Sequence, residues 1–324
     1  MGDLVPEEER GAYFGRRNRY IQVATFCGFV MAGVILYFFK KGGAEFAGYV
    51  WVFALSALAR GVSLVFLLLH WDPPFESPPT PRTLSAVKDT FKNKDQRALI
   101  LYLTTMNLAV YVAAPFFSAF ILKPREVQGL AWSYVSYTVI QGVAFFFKFV
   151  FLPLWGMASD RFGSRKCLVL AAWLVCGLPL FWLFPRDDIA LYFGVLMVAQ
   201  MCSGLSWAGH ELASFNFLLD SARPADRPHL VAAMNILNGF MVFLGSGTGA
   251  ILVYTAPGNM NPFLLVFLVS SLARFAVCGF LLQRLREVRV VERISYRSLF
   301  FRIASVRAQM GSVLRFFVLP LKRK

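Results

Sequence analysis

Residues 156–166, Gly156-Met-Ala-Ser-Asp-Arg-Phe-Gly-Ser-Arg-Lys166, separate two long apolar stretches of the chain. The two glycines suit a close approach of helices and a sharp chain reversal. The acidic residue between them suits contact with the N-terminus of a neighbouring helix. The stretch therefore predicts a tight, basic turn between two helices. The positions that carry this chemistry are Gly156, Asp160, Arg161, Gly163, Arg165 and Lys166.

Apolar runs long enough to cross a bilayer lie on both sides of this turn. A membrane helix needs about 20 mainly apolar residues, and the runs lack the alternation of barrel strands. The sequence therefore predicts an all-α integral membrane protein with eight transmembrane helices. The predicted spans are Ile21–Phe39, Phe46–Leu69, Leu99–Leu122, Leu130–Trp155, Cys167–Phe184, Ile189–Phe215, Val231–Tyr254 and Pro262–Leu282.

The composition supports this interpretation. Of 324 residues, 57% are hydrophobic and 16% charged, and the mean hydropathy is +0.58. Soluble domains are about 45–50% apolar and about 25% charged, so an ordinary soluble enzyme and a disordered chain are both excluded. The five cysteines lie in or beside apolar runs without a CxxC pair. They indicate small buried hydrophobes, with no disulfide framework, metal site or cofactor implied.

The basic residues predict the orientation. Counting the N-terminus, alternate loops and the C-terminal tail together gives 25 Lys and Arg, against 5 in the opposite loops. Cytoplasmic loops carry the excess of positive charge, so both termini are predicted to be cytoplasmic. This bias also accounts for the net charge of +15 without nucleic acid as a partner.

The chain also contains an internal repeat. Residues 53–68 and 267–282 are identical at 8 of 16 positions, and both copies carry an intramembrane arginine, Arg60 and Arg274. Such residues are rare within membrane spans because they are costly. Spans one and two therefore recur as spans seven and eight, and the repeat unit is six helices in the same orientation. We interpret both arginines as structural rather than ligand-binding.

The turn at 156–166 resembles the cytoplasmic loop signature of the major facilitator superfamily. That signature is Gly, three residues, Asp-Arg, one residue, Gly, one residue and two basic residues, and every position is filled here. The resemblance covers roughly residues 3–284 and implies a transporter made of two six-helix halves. Since the family carries this loop after its second and eighth helices, the resemblance implies that spans one to eight correspond to family helices five to twelve.

On this resemblance the chain is expected to lack the first four helices of the family. Residues 1–69 would then be a remnant of the N-terminal half, 70–98 the cytoplasmic linker, 99–282 the C-terminal six-helix half and 283–324 a basic amphipathic tail. A complete central cavity needs both halves. Transport by this chain alone is therefore in question, and a partner could supply the missing helices.

Two spans carry polar residues at helical spacing. The fourth has Tyr134, Thr138, Gln141 and Lys148, and the sixth has Gln200, Ser203, Trp207, His210, Glu211 and Ser214. Lys148 lies 12 residues before Asp160, about 18 Å from the cytoplasmic end. It marks a functional site, a lysine that snorkels to the interface, or a structural ion pair. Glu211 and His210 suit proton transfer, or Glu211 forms a fixed pair with Lys148.

Other polar positions complete a predicted lining. The third span presents Thr104, Asn107, Tyr111 and Ser118 on one face, while Asn235 and Asn238 begin the seventh span. Each alone suits a hydrogen bond between helices as well as a ligand contact. The predicted substrate and proton pathway comprises Asn107, Tyr111, Gln141, Lys148, Gln200, Trp207, His210 and Glu211.

Two cytoplasmic features follow. The pseudo-symmetry of the family implies that Asp160 docks near the start of the first span, within about 10 Å of residues 10–22, which include four arginines. The tail repeats Leu299, Ile303, Val306, Met310, Val313 and Phe317 at steps of three and four. This spacing indicates a basic amphipathic helix on the anionic inner leaflet, with a disordered tail as the alternative.

The sequence therefore predicts a secondary transporter of a small solute in the plasma membrane, working by alternating access, with protons as the candidate coupling ion. Its expected partners are the substrate and the lipid bilayer. One alternative is a transport-inactive, truncated membrane protein that acts as a scaffold or partner subunit. Another is a membrane enzyme that uses His210 and Glu211, which would require a nucleophile or metal ligands nearby.

Overall fold

The computed structural model describes residues 10–69, 93–184, 187–221, 227–258, 260–287 and 294–304, without several side chains near the start of the first helix and those of Pro228 and Ala304. All regular structure in these ranges is helical. The helices are α1 (Arg10–Lys41), α2 (Glu45–Leu68), α3 (Lys94–Tyr111), α4 (Ala114–Leu122), α5 (Tyr134–Phe162), α6 (Ser164–Gly177), α7 (Ile189–Asp220), α8 (Arg227–Thr255), α9 (Pro262–Leu281) and α10 (Tyr296–Ala304).

Eight stretches in the described ranges are long and apolar enough to cross a membrane. They are α1, α2, α3 with α4, α5, α6 with the short 3-10 turn Leu178–Leu183, α7, α8 and α9. Each coincides with one predicted span to within a few residues at most ends. The prediction of an all-helical protein with eight membrane-spanning segments is confirmed. The cytoplasmic placement of the termini stays a prediction.

The third span is broken rather than continuous. Helix α3 ends at Tyr111, α4 begins at Ala114, and Pro115 occupies the first turn of α4. Proline has no backbone N–H and clashes with the preceding turn, so it favours a helix start here. The Ser270 hydroxyl of α9 donates to the Ala109 carbonyl at 2.6 Å. The polar backbone near the break is therefore partly satisfied by a neighbouring helix.

The fourth span is longer than predicted because α5 continues through most of the 156–166 turn, to Phe162. A single residue, Gly163, links α5 to α6 with φ 94° and ψ 145°. Positive φ is strained for residues with a Cβ, so glycine is required here. Gly156 is less constrained, since a Cβ there would meet Leu212 at an ordinary 3.7 Å.

Helices α3–α9 pack into one bundle. Helix α5 packs on α7, α7 on α6, and α3 on both α8 and α9. A large buried cluster fills the middle, with Trp155, Tyr102 and Leu168 almost fully enclosed. Helices α1 and α2 pack on each other, and α1 joins the bundle along α5.

The linker and the tail are described in part. Residues 70–92 lie outside the described residues, and α3 begins under an N-cap in which the Asn93 side chain accepts from the Asp95 backbone N–H at 3.0 Å. Helix α10 forms within the predicted tail, but Leu299 and Ile303 are buried against α5 and α6. Protein rather than lipid covers these two residues. Val306, Met310, Val313 and Phe317 lie outside the described residues.

Candidate substrate and gating site

Lys148 and Glu211 form an ion pair across α5 and α7. The Lys148 Nζ and Glu211 Oε2 atoms lie 2.6 Å apart, and the Lys148 side chain is 15% exposed while that of Glu211 is 51% exposed. The structure therefore brings together the two charges that the sequence placed in separate spans. The half-exposed carboxylate leaves one side of the pair accessible.

A second polar contact joins the same two helices. The Gln200 side-chain amide donates to Gln141 Oε1 at 2.7 Å. Gln141 lies seven residues before Lys148, about 10 Å along α5. Helices α5 and α7 thus present two polar cross-links in a line, and four of the predicted pathway residues lie on this one seam.

Close packing of α5 and α7 positions the ion pair. A Cβ on Gly204 would lie 2.5 Å from the Ala144 carbonyl oxygen and 2.7 Å from the Lys148 backbone nitrogen. Only glycine allows the two backbones to approach this closely. Further along, the indole N–H of Trp155 donates to the Leu205 carbonyl at 2.9 Å. These two contacts fix the spacing between α5 and α7 around the Lys148–Glu211 pair.

His210 faces away from this seam. Its side chain is 6% exposed, and its Nε2 lies 3.0 Å from the Tyr102 hydroxyl of α3. The Trp207 ring packs edge-on at 5.4 Å between centroids. Successive helix residues point about 100° apart, so His210 turns into the core while Glu211 meets Lys148. The structure does not bring the two side chains into the arrangement that a direct proton relay requires.

Polar residues of the third span contact α8. The Asn107 amide donates to the Asn238 side-chain oxygen, which supports the expected hydrogen bond between helices. Tyr111 lies at the break after α3 and is partly exposed. Gly245 and Gly249 of α8 pack on the Leu108 and Val112 carbonyls, whereas Gly247 faces no atom within 4 Å.

The two repeat-related arginines have different surroundings. Arg60 is exposed on α2, while Arg274 is 2% exposed and its Nη1 donates to the Val175 carbonyl at 3.2 Å. The neighbouring Ser271 donates to the Cys176 carbonyl at 2.7 Å. Helix α6 ends one residue later, at Gly177, where its dipole is negative. Arg274 therefore caps the C-terminus of α6, which agrees with the structural interpretation.

The turn at 156–166 holds a polar network that the sequence did not single out. Ser159 and Ser164 are fully buried, and their hydroxyls lie 3.1 Å apart. Asn216 donates to Ser159 at 3.2 Å and Ser164 donates to Asp220 at 3.2 Å. The network ties the ends of α5, α6 and α7 together. The only signal in the sequence was the position of the two serines, each within four residues of Gly163.

The basic residues of the turn hold the segment after α9. The Arg165 Nε donates to the Leu285 carbonyl at 2.6 Å and its backbone N–H to Glu287 at 3.0 Å. Lys166 donates to the Ile294 carbonyl at 3.0 Å. Asp160 and Arg161 lie exposed in the last turn of α5. The side chains of Arg10, Arg16 and Arg19 lie outside the described residues, so their contact with Asp160 stays a prediction.

A cavity of about 510 Å³ lies at the opposite end of the bundle from this turn, with Arg125, Trp132, Asp187 and Tyr192 among its lining residues. It is separate from the Lys148–Glu211 seam. Among the described residues, no group of three His, Cys, Asp or Glu side chains is arranged to hold a metal ion.

Comparison with known proteins identifies the family. The Major Facilitator Superfamily model matches residues 108–319, and the model described as MFS/sugar transport protein matches residues 6–209. The chain is also 28% identical over 145 residues to the alpha-ketoglutarate permease of Bacillus subtilis (strain 168), covering 44% of this chain and 30% of that relative. The chain therefore spans about 30% of the length of this curated relative. No solved structure matches the chain significantly.

Proposed function

Since the chain belongs to the Major Facilitator Superfamily and is a multi-pass membrane protein, we propose that it acts as a secondary transporter of a small solute by alternating access. We assign α1 and α2 to one half of the transporter and α3–α9 to the other. The packing supports this division, because α1 contacts the bundle mainly along α5.

The observation that carries the proposal is the Lys148–Glu211 ion pair. Charges within membrane spans are costly and mark substrate or ion pathways. A pair that is fully enclosed would suit a fixed structural role, but Glu211 is 51% exposed. We infer that this exposed side admits an anionic solute, which then replaces Glu211 as the partner of Lys148.

The substrate class that fits this exchange is a small organic acid. A carboxylate makes the same charge-assisted contact with Lys148 that Glu211 makes, and the amides of Gln141 and Gln200 offer further hydrogen bonds. The name of the Bacillus subtilis relative, alpha-ketoglutarate permease, supports the same class.

Proton coupling follows from this exchange as part of the proposal. When a substrate carboxylate takes Lys148, it adds one negative charge to the pair within a membrane span, where uncompensated charge is costly. Glu211 then takes up a proton, so that one proton accompanies one substrate carboxylate. Release of the substrate returns Glu211 to Lys148 and frees the proton.

The test is uptake of radiolabelled 2-oxoglutarate into proteoliposomes that contain the full chain. We expect Lys148→Met to reduce uptake at least tenfold, and Glu211→Gln to retain exchange but lose accumulation driven by a pH gradient. Lys123→Met, at the exposed end of α4, is the matched control. Uptake by Lys148→Met equal to the unaltered chain would refute the proposed site.

The test also addresses the alternative of a transport-inactive scaffold or partner subunit. That role predicts no uptake by the unaltered chain in liposomes, and no effect of Lys148→Met on its assembly in cells. Uptake in cells but not in liposomes would indicate a second chain that contributes helices.

A further inference from the structure

A second polar cluster lies at the far end of α5 from the 156–166 turn. The Tyr134 hydroxyl donates to Glu45 Oε1 at 2.7 Å and lies 2.6 Å from the Tyr49 hydroxyl. A hydroxyl has one proton to donate, so Tyr49 donates to Tyr134 and Tyr134 donates to the carboxylate. Lys40 Nζ lies 4.8 Å from the centre of the Tyr134 ring. We call Lys40, Glu45, Tyr49 and Tyr134 the outer cluster.

The outer cluster connects the two parts of the chain at one membrane face. Lys40 lies in the last turn of α1, Glu45 begins α2 with Tyr49 one turn later, and Tyr134 begins α5. This face is opposite the 156–166 turn and is predicted to be non-cytoplasmic. The hydrogen bonds therefore bridge α2 and α5, which the proposed function assigns to different halves.

Below the outer cluster, α1 and α5 are in tight contact. Gly33 packs directly on Thr138, and the Phe29 ring lies 5.9 Å from Tyr137 and 5.4 Å from Phe145. One turn earlier on α1, the Phe26 ring lies opposite Gly142 of α5. The seam between α1 and α5 is thus closed over its outer half.

We propose that the hydrogen bonds among Glu45, Tyr49 and Tyr134 are a latch that closes the outer face of the transport pathway. The latch holds α2 to α5 while the outer face is closed, and its release lets the outer ends separate. The inference rests on the proposed function, because a latch between halves has meaning only in alternating access. The residues are positioning residues and do not contact the substrate.

The test measures access to the seam rather than transport. Thr138→Cys places a thiol beneath the latch, against Gly33, and a maleimide reports its accessibility in nanodiscs, with mass spectrometry reading position 138 alone. Tyr134→Phe removes both hydrogen bonds of the latch. We expect the labelling rate at 138 to rise about tenfold, given the modest worth of each hydrogen bond in a membrane protein.

Two further variants keep the test decisive. Tyr49→Phe removes one bond and is expected to give a smaller increase. Tyr254→Phe makes the same chemical change on α8, where the side chain is 91% exposed, and is expected to have no effect. Elution and thermal unfolding identify any variant that fails to fold.

The latch is refuted if position 138 is labelled equally fast with and without Tyr134→Phe, or if Tyr254→Phe has the same effect. Labelling does not require a substrate. If the chain does not take up 2-oxoglutarate but Tyr134→Phe still speeds labelling at position 138, the proposed substrate class is wrong and the latch stands. Normal uptake with no labelling difference would overturn the latch alone.

Discussion

Gly204 of α7 lies against the carbonyl oxygen of Ala144 on α5, where a Cβ would stand 2.5 Å from that oxygen. This contact sets the distance between the two helices that carry Lys148 and Glu211. Real Cβ atoms do not approach a carbonyl this closely, and a backbone cannot swing aside as a flexible side chain can. The geometry of the charged seam therefore depends on the lack of a side chain at position 204.

Gly204→Ala is expected to push α5 and α7 apart. Overpacking of a close contact costs about 1–3 kcal/mol, and we expect a lower melting temperature in detergent together with weaker uptake. Gly247→Ala is the control, because nothing lies within 4 Å of a Cβ there. Alanine favours a helix by about 0.5–1 kcal/mol over glycine, so the control should be neutral or slightly stabilised. Equal melting temperatures of the two variants would contradict this account.

Arg274→Met is expected to destabilise the bundle. It removes a charge-assisted hydrogen bond to the Val175 carbonyl at the end of α6, and a hydrogen bond to a charged group contributes about 1.5–3 kcal/mol. Arg60→Met, at the repeat-related but exposed position, should change the melting temperature little. Arg274→Lys should recover part of the loss, since it keeps the charge near the helix end. A stable Arg274→Met variant would show that the cap is dispensable.

The predicted contact of Asp160 with the start of α1 should depend on the outer latch. Helices α1 and α5 pack with Gly33 at Thr138 and Phe26 near Gly142, so they are antiparallel. Continuing this register brings Asp160 level with the first turns of α1. Since alternating access opens one face as the other closes, release of the latch should bring these ends together.

Disulfide cross-linking measures this coupling. Asp160→Cys paired with Arg10→Cys should cross-link faster when Tyr134→Phe is also present, and Asp160→Cys paired with Tyr20→Cys should cross-link little in either background. If no position between 10 and 22 cross-links to 160 in any background, the cytoplasmic contact is wrong.

Helix α10 should detach when its buried face is shortened. Leu299 is fully buried and Ile303 is 3% exposed, and each truncation to alanine removes contacts worth about 2–5 kcal/mol. We expect Leu299→Ala with Ile303→Ala to make the tail sensitive to trypsin at Arg297 and Arg302. Phe301→Ala, at a side chain 57% exposed, is the control. Equal digestion of all three proteins would argue against docking of the tail on α5 and α6.

The sequence predicted the spans well because hydropathy reports burial in lipid directly. The second span was predicted from Phe46 to Leu69 and runs from Glu45 to Leu68. The fourth was predicted to end at Trp155 and continues to Phe162. Polar residues of the turn also adopt helical structure when their hydrogen-bonding groups have partners, as Ser159 does. The break after Tyr111 lies within an apolar run, where only Pro115 signals it.

The candidate site was predictable in its residues but not in its pairings. Lys148 and Glu211 were each conspicuous, and their contact was one of two interpretations, because residue spacing does not say which helices are neighbours. His210 shows the same limit. It follows Trp207 at helical spacing, yet its partner Tyr102 comes from another helix. Ser159 and Ser164 were overlooked because small hydroxyls gain significance only from burial.

The one-residue link at Gly163 fixes the rotational phase between α5 and α6. Each added residue turns a helix by about 100°, so inserting one alanine after Gly163 would rotate the whole of α6 and carry Cys176 out of the core. The same link leaves no slack, and a tilt of α5 is passed directly to α6 and to the tail segment held by Arg165 and Lys166. Helices α5 and α6 should therefore move together as one rigid unit that is bent at Gly163, at the membrane surface.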